Sequence, residues 1–251
     1  MKIGRHFLVV FSIAMFFIFM TVACQFNLIT KSKIKVISQV APITNPIDKT
    51  PFQNVGCTWQ SDSFAVCEEE SVLKKMGCDS ITSASDFLSL LNPALPMVVC
   101  NYNPYLQDPV DETAEGIFNQ GCRMPMLVRL IVYQDGNYQL IQNTSGLQSF
   151  YAPIENSNEA LAYAIAATGN QPLYKYDSSL DYRYLIKELP ETKVEEIAGG
   201  YEVLLYDYQF CGCGPHTHSI VKVNVQVDGT LTLSDPIPAY EDPEQDGLCI
   251  D

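Results

Sequence analysis

The chain has 251 residues, 47% of them hydrophobic, and its 29 acidic residues outnumber the 15 basic ones to give a formal charge of −14. This acidity disfavours binding to nucleic-acid phosphates and to anionic lipid headgroups, so no nucleic-acid partner is expected. The length is enough to bury one sizeable core or two closely packed halves.

The N-terminus has the layout of an export signal. Lys2 and Arg5 form a short positive region, and the apolar run from Phe7 to Ala23 contains only Ser12 and Thr21 as polar residues. At seventeen residues, this run falls short of the roughly 20 that a membrane-spanning helix needs. We therefore predict a signal peptide over residues 1–23 that is removed by cleavage.

The leader ends in Thr21-Val22-Ala23-Cys24, which resembles the lipobox of bacterial lipoproteins, although Thr21 stands where leucine is usual. The resemblance implies that Cys24 is acylated and becomes the first residue of the mature protein, which makes the membrane a partner through this lipid. Gln25 at the next position implies transfer to the outer membrane in a diderm cell. Cleavage after Ala23 by an ordinary signal peptidase, giving a secreted protein, and an uncleaved signal anchor remain as alternatives.

The cysteine count supports acylation and predicts disulfides. The chain has nine cysteines, and a lipid on Cys24 leaves an even set of eight, as an oxidising compartment outside the cytoplasm requires. Five of the eight precede residue 123 and three follow residue 210, so full pairing needs at least one disulfide between the two groups. The disulfide candidates are Cys57, Cys67, Cys78, Cys100, Cys122, Cys211, Cys213 and Cys249.

Residues 24–55 are predicted to form the lipidated N-terminus and a tether, because this stretch is poor in aromatic residues and is interrupted by Pro42, Pro46 and Pro51. A cysteine-rich helical subdomain is predicted over residues 56–122. Its first helix runs through Phe64 to Met76 and its second ends at Leu91, before Asn92-Pro93, with a short strand over Pro96–Cys100 to follow.

Residues 123–251 are predicted to form an α+β subdomain with an antiparallel sheet. Gly136 lies in a turn between two β-rich runs and predicts a hairpin, and Asn156 opens a helix that ends at Gly169, with one apolar face. The alternation of valine with polar residues over Ser219–Val227 predicts a half-buried strand, and Asp228-Gly229 turns it back into a second hairpin.

The fold class expected for the whole chain is therefore α+β, with short helices and antiparallel hairpins held by disulfides. The order of one helix followed by an antiparallel meander resembles, at the level of the fold, the PepSY-type modules of exported bacterial proteins. That resemblance covers the arrangement of elements and implies no site residues.

One short segment collects the residues best suited to bind a metal. Without the leader, the chain has only two histidines, His216 and His218, and both follow Cys211 and Cys213 within eight residues. Thiolate and imidazole are the ligands that zinc and copper prefer, so these four residues are a candidate metal site. We favour the other interpretation, a loop whose cysteines form structural disulfides, because an oxidising compartment leaves few free thiols. On an extended chain Cys211 and Cys213 are too far apart to bond each other, so each then takes a separate partner, with Cys249 as a candidate.

Two further patterns bear on function. The segment Asp242–Gly247 resembles the opening of an EF-hand calcium loop, but Pro243 is unusual there and no glutamate follows at the closing position. No nucleophile elbow, phosphate-binding glycine loop or His-Glu-x-x-His helix is present.

The leading hypothesis is an exported, lipid-anchored, non-enzymatic interaction or binding module of the cell envelope, without a cofactor and with an envelope protein as one option for its partner. The alternatives are an extracytoplasmic zinc- or copper-binding protein and a disulfide-bonded secreted hydrolase. No residue is assigned a catalytic role.

Overall fold

Two antiparallel β-sheets with one helix between them form the globular part. The computed structural model describes residues 34–53 and 55–251, and the chain divides into a unit over Met1–Ile34 and a unit over Lys35–Asp251. The predicted signal peptide, Cys24 and the start of the predicted tether lie outside the described residues. Within the described residues, no helix is both long enough and apolar enough to cross a membrane. The predicted α+β class is confirmed, with strands far outnumbering helices.

Among the described residues, the first sheet has seven strands, all paired antiparallel. They are β2 Cys57–Ser61, β3 Phe64–Cys67, β4 Ser80–Ser83, β5 Met97–Tyr102, β6 Phe118–Gln120, β7 Met126–Gln134 and β8 Asn137–Ile141. The order is β2-β3-β4-β5-β7-β6, and β8 also pairs with β7. The hairpin of β7 and β8 confirms the prediction at Gly136, where Asp135 and Gly136 both have positive φ, as a type I′ turn requires.

The second sheet has six strands in the part of the chain that the structure describes, in the order β11-β12-β14-β16-β9, with β15 paired to β14. They are β9 Arg183–Tyr184, β11 Val194–Ile197, β12 Gly200–Tyr208, β14 Thr217–Gln226, β15 Leu231–Leu233 and β16 Ile237–Glu241. Val221, Val223 and Val225 are buried on one side of β14, which confirms the alternation predicted there. Two small pairings complete the strands: β1 Lys35–Ile37 with β10 Glu188–Pro190, and β13 Gly212–Cys213 with β17 Cys249–Ile250.

Three α-helices are present among the described residues: α1 Val72–Lys75, α2 Thr144–Tyr151 and α3 Ser157–Thr168. The predicted ends of α3 are confirmed. The Asn156 side chain accepts hydrogen bonds from the Asn158 and Glu159 backbone N–H groups, and Gly169 ends the helix at φ 74°.

The prediction that α3 has one apolar face is wrong. Every residue from Glu159 to Ala167 is buried, because the helix packs on the 3₁₀ helix Asp86–Leu90 and on strands β11, β12 and β14 of the second sheet, and shares one buried cluster with residues of the first sheet. A helix covered all round shows no amphipathic period. Its alanines leave room for both sheets to approach closely, so α3 forms the centre of what we call the inner core, in which Leu161, Val203 and Val132 are all buried.

The opposite face of the first sheet carries a smaller outer core. Its buried residues are Phe52, Cys57, Ala65, Cys67, Leu73, Cys78, Ile81, Val98, Cys100 and Ile131. Phe52 has no exposed surface, and β1 pairs with β10. Described residues of the predicted tether therefore pack on the globular part, and the structure shortens the segment available as a spacer.

The predicted helical character of residues 56–122 is wrong for most of the segment, although its second predicted helix is present as the 3₁₀ helix Asp86–Leu90, which ends at Leu91. This segment contributes five strands, β2 to β6, and its first predicted helix is instead β3 followed by the single turn α1. Strand β3 forms because it pairs with β2 and β4 on either side, and these tertiary contacts outweigh local helical spacing. The first sheet also continues through β7 and β8, across the predicted boundary at residue 123.

All eight predicted cysteines are paired in disulfides. The pairs are Cys57–Cys67, Cys78–Cys100, Cys122–Cys211 and Cys213–Cys249. The expected link between the two halves is Cys122–Cys211, and Cys211 and Cys213 take separate partners as predicted. Four disulfides are typical of proteins that fold in an oxidising compartment outside the cytoplasm.

Candidate functional site

A cleft lies between the two sheets at the C-terminal end of α3. It consists of three neighbouring cavities of about 650, 390 and 240 Å³, and Phe118 contributes to the wall of all three. The largest cavity is on the side of the second sheet, against Val221 and Leu231. The next is on the side of the first sheet, against Val99 and Leu130. We call this space, defined by the residues around Phe118, Thr168, Asn170 and Asp207, the inter-sheet cleft.

Phe118 is held in place by its strand and by a glycine. Strand β6 pairs Phe118 with Val128 of β7, and the Phe118 ring lies directly against Gly169. A Cβ atom added at Gly169 would lie 2.5 Å from Phe118 Cε2, closer than real Cβ contacts come. Gly169 therefore serves two purposes, since its positive φ ends α3 and its missing side chain lets Phe118 close over the helix end.

Two polar side chains face the cleft without a protein partner. Asn170 follows the helix and is only 8% exposed, and its carboxamide has no hydrogen bond to any described residue. Asp207 is partly buried near the end of β12, on the same side of the strand as Val203 and Leu205, and its carboxylate likewise has no hydrogen bond or ion pair with a described residue. Both residues line the largest and the smallest of the three cavities.

A disulfide fastens the two sides of the cleft at its open end. Gln120 and Gly121 line the smallest cavity from one side, and Tyr208 and Phe210 line it from the other. The chain continues from these segments to Cys122 and Cys211, which bond each other. The link limits how far the ends of β6 and β12 can separate, and the cleft is therefore preformed.

The four residues predicted as metal ligands do not form a metal site in this structure. Cys211 and Cys213 are both consumed by disulfides. No group of three or more histidine, cysteine, aspartate and glutamate side chains is arranged to hold a metal anywhere in residues 34–53 and 55–251. The two histidines have separate structural surroundings.

His216 is buried and faces two backbone carbonyls. It is 1% exposed, with Nδ1 3.2 Å from the Gln209 carbonyl oxygen and Nε2 3.0 Å from the Leu248 carbonyl oxygen. These contacts connect the end of β12 to the C-terminal segment, beside the Cys213–Cys249 disulfide. His216 thus anchors the C-terminal segment.

His218 lies in strand β14 rather than in a loop. Its ring is stacked between Tyr208 and Tyr240, with centroid distances of 4.4 Å to each. Burial between these rings lowers the pKa of His218, and the nearby carboxylates of Asp242 and Asp207 oppose that effect in part. The neutral imidazole is therefore favoured in the folded protein.

In the segment Asp242–Gly247, the carboxylates of Asp242 and Asp246 bond other groups of the protein. Asp242 accepts hydrogen bonds from the Glu244 backbone N–H and from Gln245 Nε2. Asp246 pairs with Arg183 at 2.7 Å, and Arg183 also bonds Glu241 at 2.6 Å. These contacts hold the segment against the second sheet.

Comparison of the chain with protein-family models, with curated proteins and with solved structures found no match. The cleft is therefore interpreted from its own residues. Sequence reasoning missed Phe118, Asn170 and Asp207, because they come from three distant segments and belong to no motif. The one local signal was Gly169, which marked the helix end without indicating a cavity beside it.

Proposed function

We propose that the chain is an exported, lipid-anchored protein of the cell envelope whose globular part binds a small ligand in the inter-sheet cleft without transforming it. The observation that carries this proposal is the pair of unpartnered polar side chains, Asn170 and Asp207, on the wall of a preformed cavity. The largest cavity measures about 650 Å³, within the range of small-molecule sites.

The energetics of Asn170 favour a ligand. Asn170 as a whole is more than nine-tenths buried, but its carboxamide reaches the cavity and is not a fully enclosed group without a hydrogen-bond partner. A ligand that accepts or donates a hydrogen bond at this carboxamide replaces its hydrogen bond to water, which contributes about 0.5–1.5 kcal/mol. Mostly apolar walls with a few polar groups are typical of binding sites, and Phe118, Val221, Leu231 and Leu233 supply the apolar part here.

Binding without catalysis is favoured by the residues around the cleft. Among the described residues that line it, there is no histidine and no cysteine, the groups that most often activate a nucleophile or transfer a proton. Serine and threonine hydroxyls are present at Thr144, Ser145 and Ser234, and Asp207, the carboxylate among the described lining residues, makes no hydrogen bond to any of them.

The proposed location at the cell envelope is supported by the sequence and by the disulfides. A basic and apolar leader ends at Cys24, and removing that cysteine from the count leaves the eight that are paired in the structure. Acylation of Cys24 leaves no unpaired thiol in an oxidising compartment. In a diderm cell, Gln25 favours the outer membrane.

The proposed lipid anchoring is tested on the full chain, expressed with its own leader in a bacterial host. Mass spectrometry of the mature N-terminal peptide should find Cys24 as the first residue, with acyl chains attached. The Cys24→Ala variant should lose this modification and its partition into detergent. A wild-type N-terminus without acyl chains, or a Cys24→Ala variant that partitions unchanged, would contradict lipid anchoring.

The binding function is tested by fragment screening of the mature protein, followed by two-dimensional amide NMR. Hits should perturb the signals of Phe118, Asn170 and Asp207 together, and Asn170→Ala should weaken them about tenfold because a buried hydrogen bond is lost. Asn158→Ala is the matched control, since Asn158 lies exposed at the opposite end of α3. Hits that cluster elsewhere, or equal losses in both variants, would contradict a binding site in the cleft.

A further inference from the structure

The charge of the cleft has one sign. Asp207 is the only acidic residue among the described residues that line it, and no lysine, arginine or histidine is among them. The other groups with a titratable proton are Tyr206 and Tyr208. Burial raises the pKa of Tyr206, and its hydroxyl donates to the Pro190 carbonyl oxygen at 2.5 Å, so it contributes no charge.

The C-terminal end of α3 adds negative potential at the same place. The Asn170 N–H donates to Thr168 Oγ1, and the Gln171 N–H donates to the Tyr206 carbonyl oxygen. The carbonyls of Ala166 and Ala167 therefore lack the amide donors that a continuing helix would provide. The last turn of α3 also has no basic residue to offset this end of the helix dipole.

The opposite wall does not cancel this potential. Helix α2 begins there, with Thr144 and Ser145 on the cavity surface. Asn143 caps that helix by accepting a hydrogen bond from the Gly146 N–H at 2.7 Å. The Asn143 amide in turn bonds the Glu115 carboxylate, so an acidic side chain lies next to the positive end of α2.

The remaining walls of the cleft are suited to a ligand whose charged group is attached to an apolar body. Phe118 borders all three cavities, and an aromatic ring attracts a cation to its face. The apolar surface beside it belongs to Val221, Leu231 and Leu233. A charged group near Asp207 and an apolar group against these side chains would use both parts of the wall.

Resting on the proposed binding function, we infer that the ligand of the inter-sheet cleft is a small organic cation, an ammonium group on an apolar body. The ammonium lies between the Asp207 carboxylate and the free carbonyls at the end of α3, and Asn170 offers its carboxamide oxygen as a further acceptor. The apolar body packs against Phe118 and the leucines of β15.

The test compares three probes of similar size in NMR titrations of the mature protein at neutral pH. They are 2-phenylethylamine, which is cationic, 2-phenylethanol, which is neutral, and 3-phenylpropionate, which is anionic. The amine should bind at the cleft about tenfold more tightly than the alcohol, since hydrogen bonds to charged groups are stronger than neutral ones. Its affinity should also fall with added salt, whereas that of the alcohol should stay constant.

Substitutions at Asp207 test whether the cation preference depends on its carboxylate. Asp207→Asn should reduce amine binding to the level of the alcohol and leave alcohol binding unchanged, and Asp207→Ser should do the same if the first variant folds poorly. Asp135→Asn is the matched control, because Asp135 is an exposed turn residue of the β7–β8 hairpin. Its binding of the amine should equal that of the wild type.

The outcomes separate the inference from the proposed function. Binding of the alcohol or the carboxylate as tightly as the amine would overturn the cation preference and leave a binding cleft in place. An amine affinity that survives both Asp207 substitutions would overturn it too. Absence of all three probes from the cleft at millimolar concentration would overturn both the cation preference and the binding function.

Discussion

The two cores of this protein are stabilised in different ways. Within residues 34–53 and 55–251, the inner core around α3 buries 25 residues and none of them is cysteine, whereas four of the ten buried residues of the outer core are half-cystines. A small apolar cluster cannot offset the conformational entropy of the chain that it orders. The difference indicates that disulfides stabilise the outer core, where apolar burial is limited. The inner core is stabilised by packing around α3.

The cleft is part of the inner core, which is stabilised mainly by packing, except at its open end. Its walls come from the inner core, but its open end is fastened by Cys122–Cys211, the disulfide that links the two halves of the chain. Four changes to the chain test this division between packing and cross-links.

The largest effect is expected from removing that long-range link. The Cys122→Ala/Cys211→Ala variant loses a cross-link over a sequence separation of 89 residues, which is worth about 4.5 kcal/mol in the chain-entropy model. Urea unfolding under oxidising conditions measures the loss. The fragment affinity of the cleft should fall as well, because the ends of β6 and β12 are no longer fixed.

The next effect concerns the inner core. Leu161 is 1% exposed and lies on a helix fixed by the second sheet and by the 3₁₀ helix Asp86–Leu90, so Leu161→Ala should leave a cavity and cost about 3–4 kcal/mol of unfolding free energy. Leu73→Ala in the outer core is the matched comparison. It should cost less, since α1 is a single turn that can shift to fill the space. A larger loss at Leu73 would reverse the proposed roles of the two cores.

A smaller effect is expected from the shortest disulfide loop. Cys57 and Cys67 are separated by 10 residues, so the double substitution to alanine should cost about 2.5 kcal/mol. The same urea titration measures this loss beside that of Cys122→Ala/Cys211→Ala. Equal losses for the two pairs would show that loop closure does not govern the stabilisation by these links.

The smallest effect is a dependence of stability on pH at His218. Because burial lowers the pKa of His218 in the folded protein, the unfolded chain binds its proton first. The stabilisation is complete above the unfolded pKa of about 6.5 and is lost as the pH falls from there through the folded pKa. In His218→Phe, this part of the fall in unfolding free energy should disappear. A variant curve parallel to that of the wild type would contradict the assignment.

Local signals in the sequence predicted local structure well. The Asp135-Gly136 turn, the Asn156 cap and the Gly169 helix end each depend on a few neighbouring residues, so their patterns were sufficient. Counting cysteines likewise predicted a link between the halves, since parity is a property of the sequence alone.

Features that depend on distant contacts were missed. The spacing around Phe64 favoured a helix, but pairing with β2 and β4 makes this segment a strand. The burial of α3 on all sides depends on distant elements that pack on it, and the sequence of the helix alone does not predict them. The cleft is the clearest case, because Phe118, Asn170 and Asp207 meet only after both sheets have packed on α3.

The most direct test of a cation site in the cleft is a crystal structure of the protein soaked with 2-phenylethylamine. We expect the ammonium nitrogen within hydrogen-bond distance of the Asp207 carboxylate, about 3 Å, with the phenyl ring against Phe118. A ligand bound with its ammonium toward solvent and away from Asp207, or bound only outside the inter-sheet cleft, would contradict it.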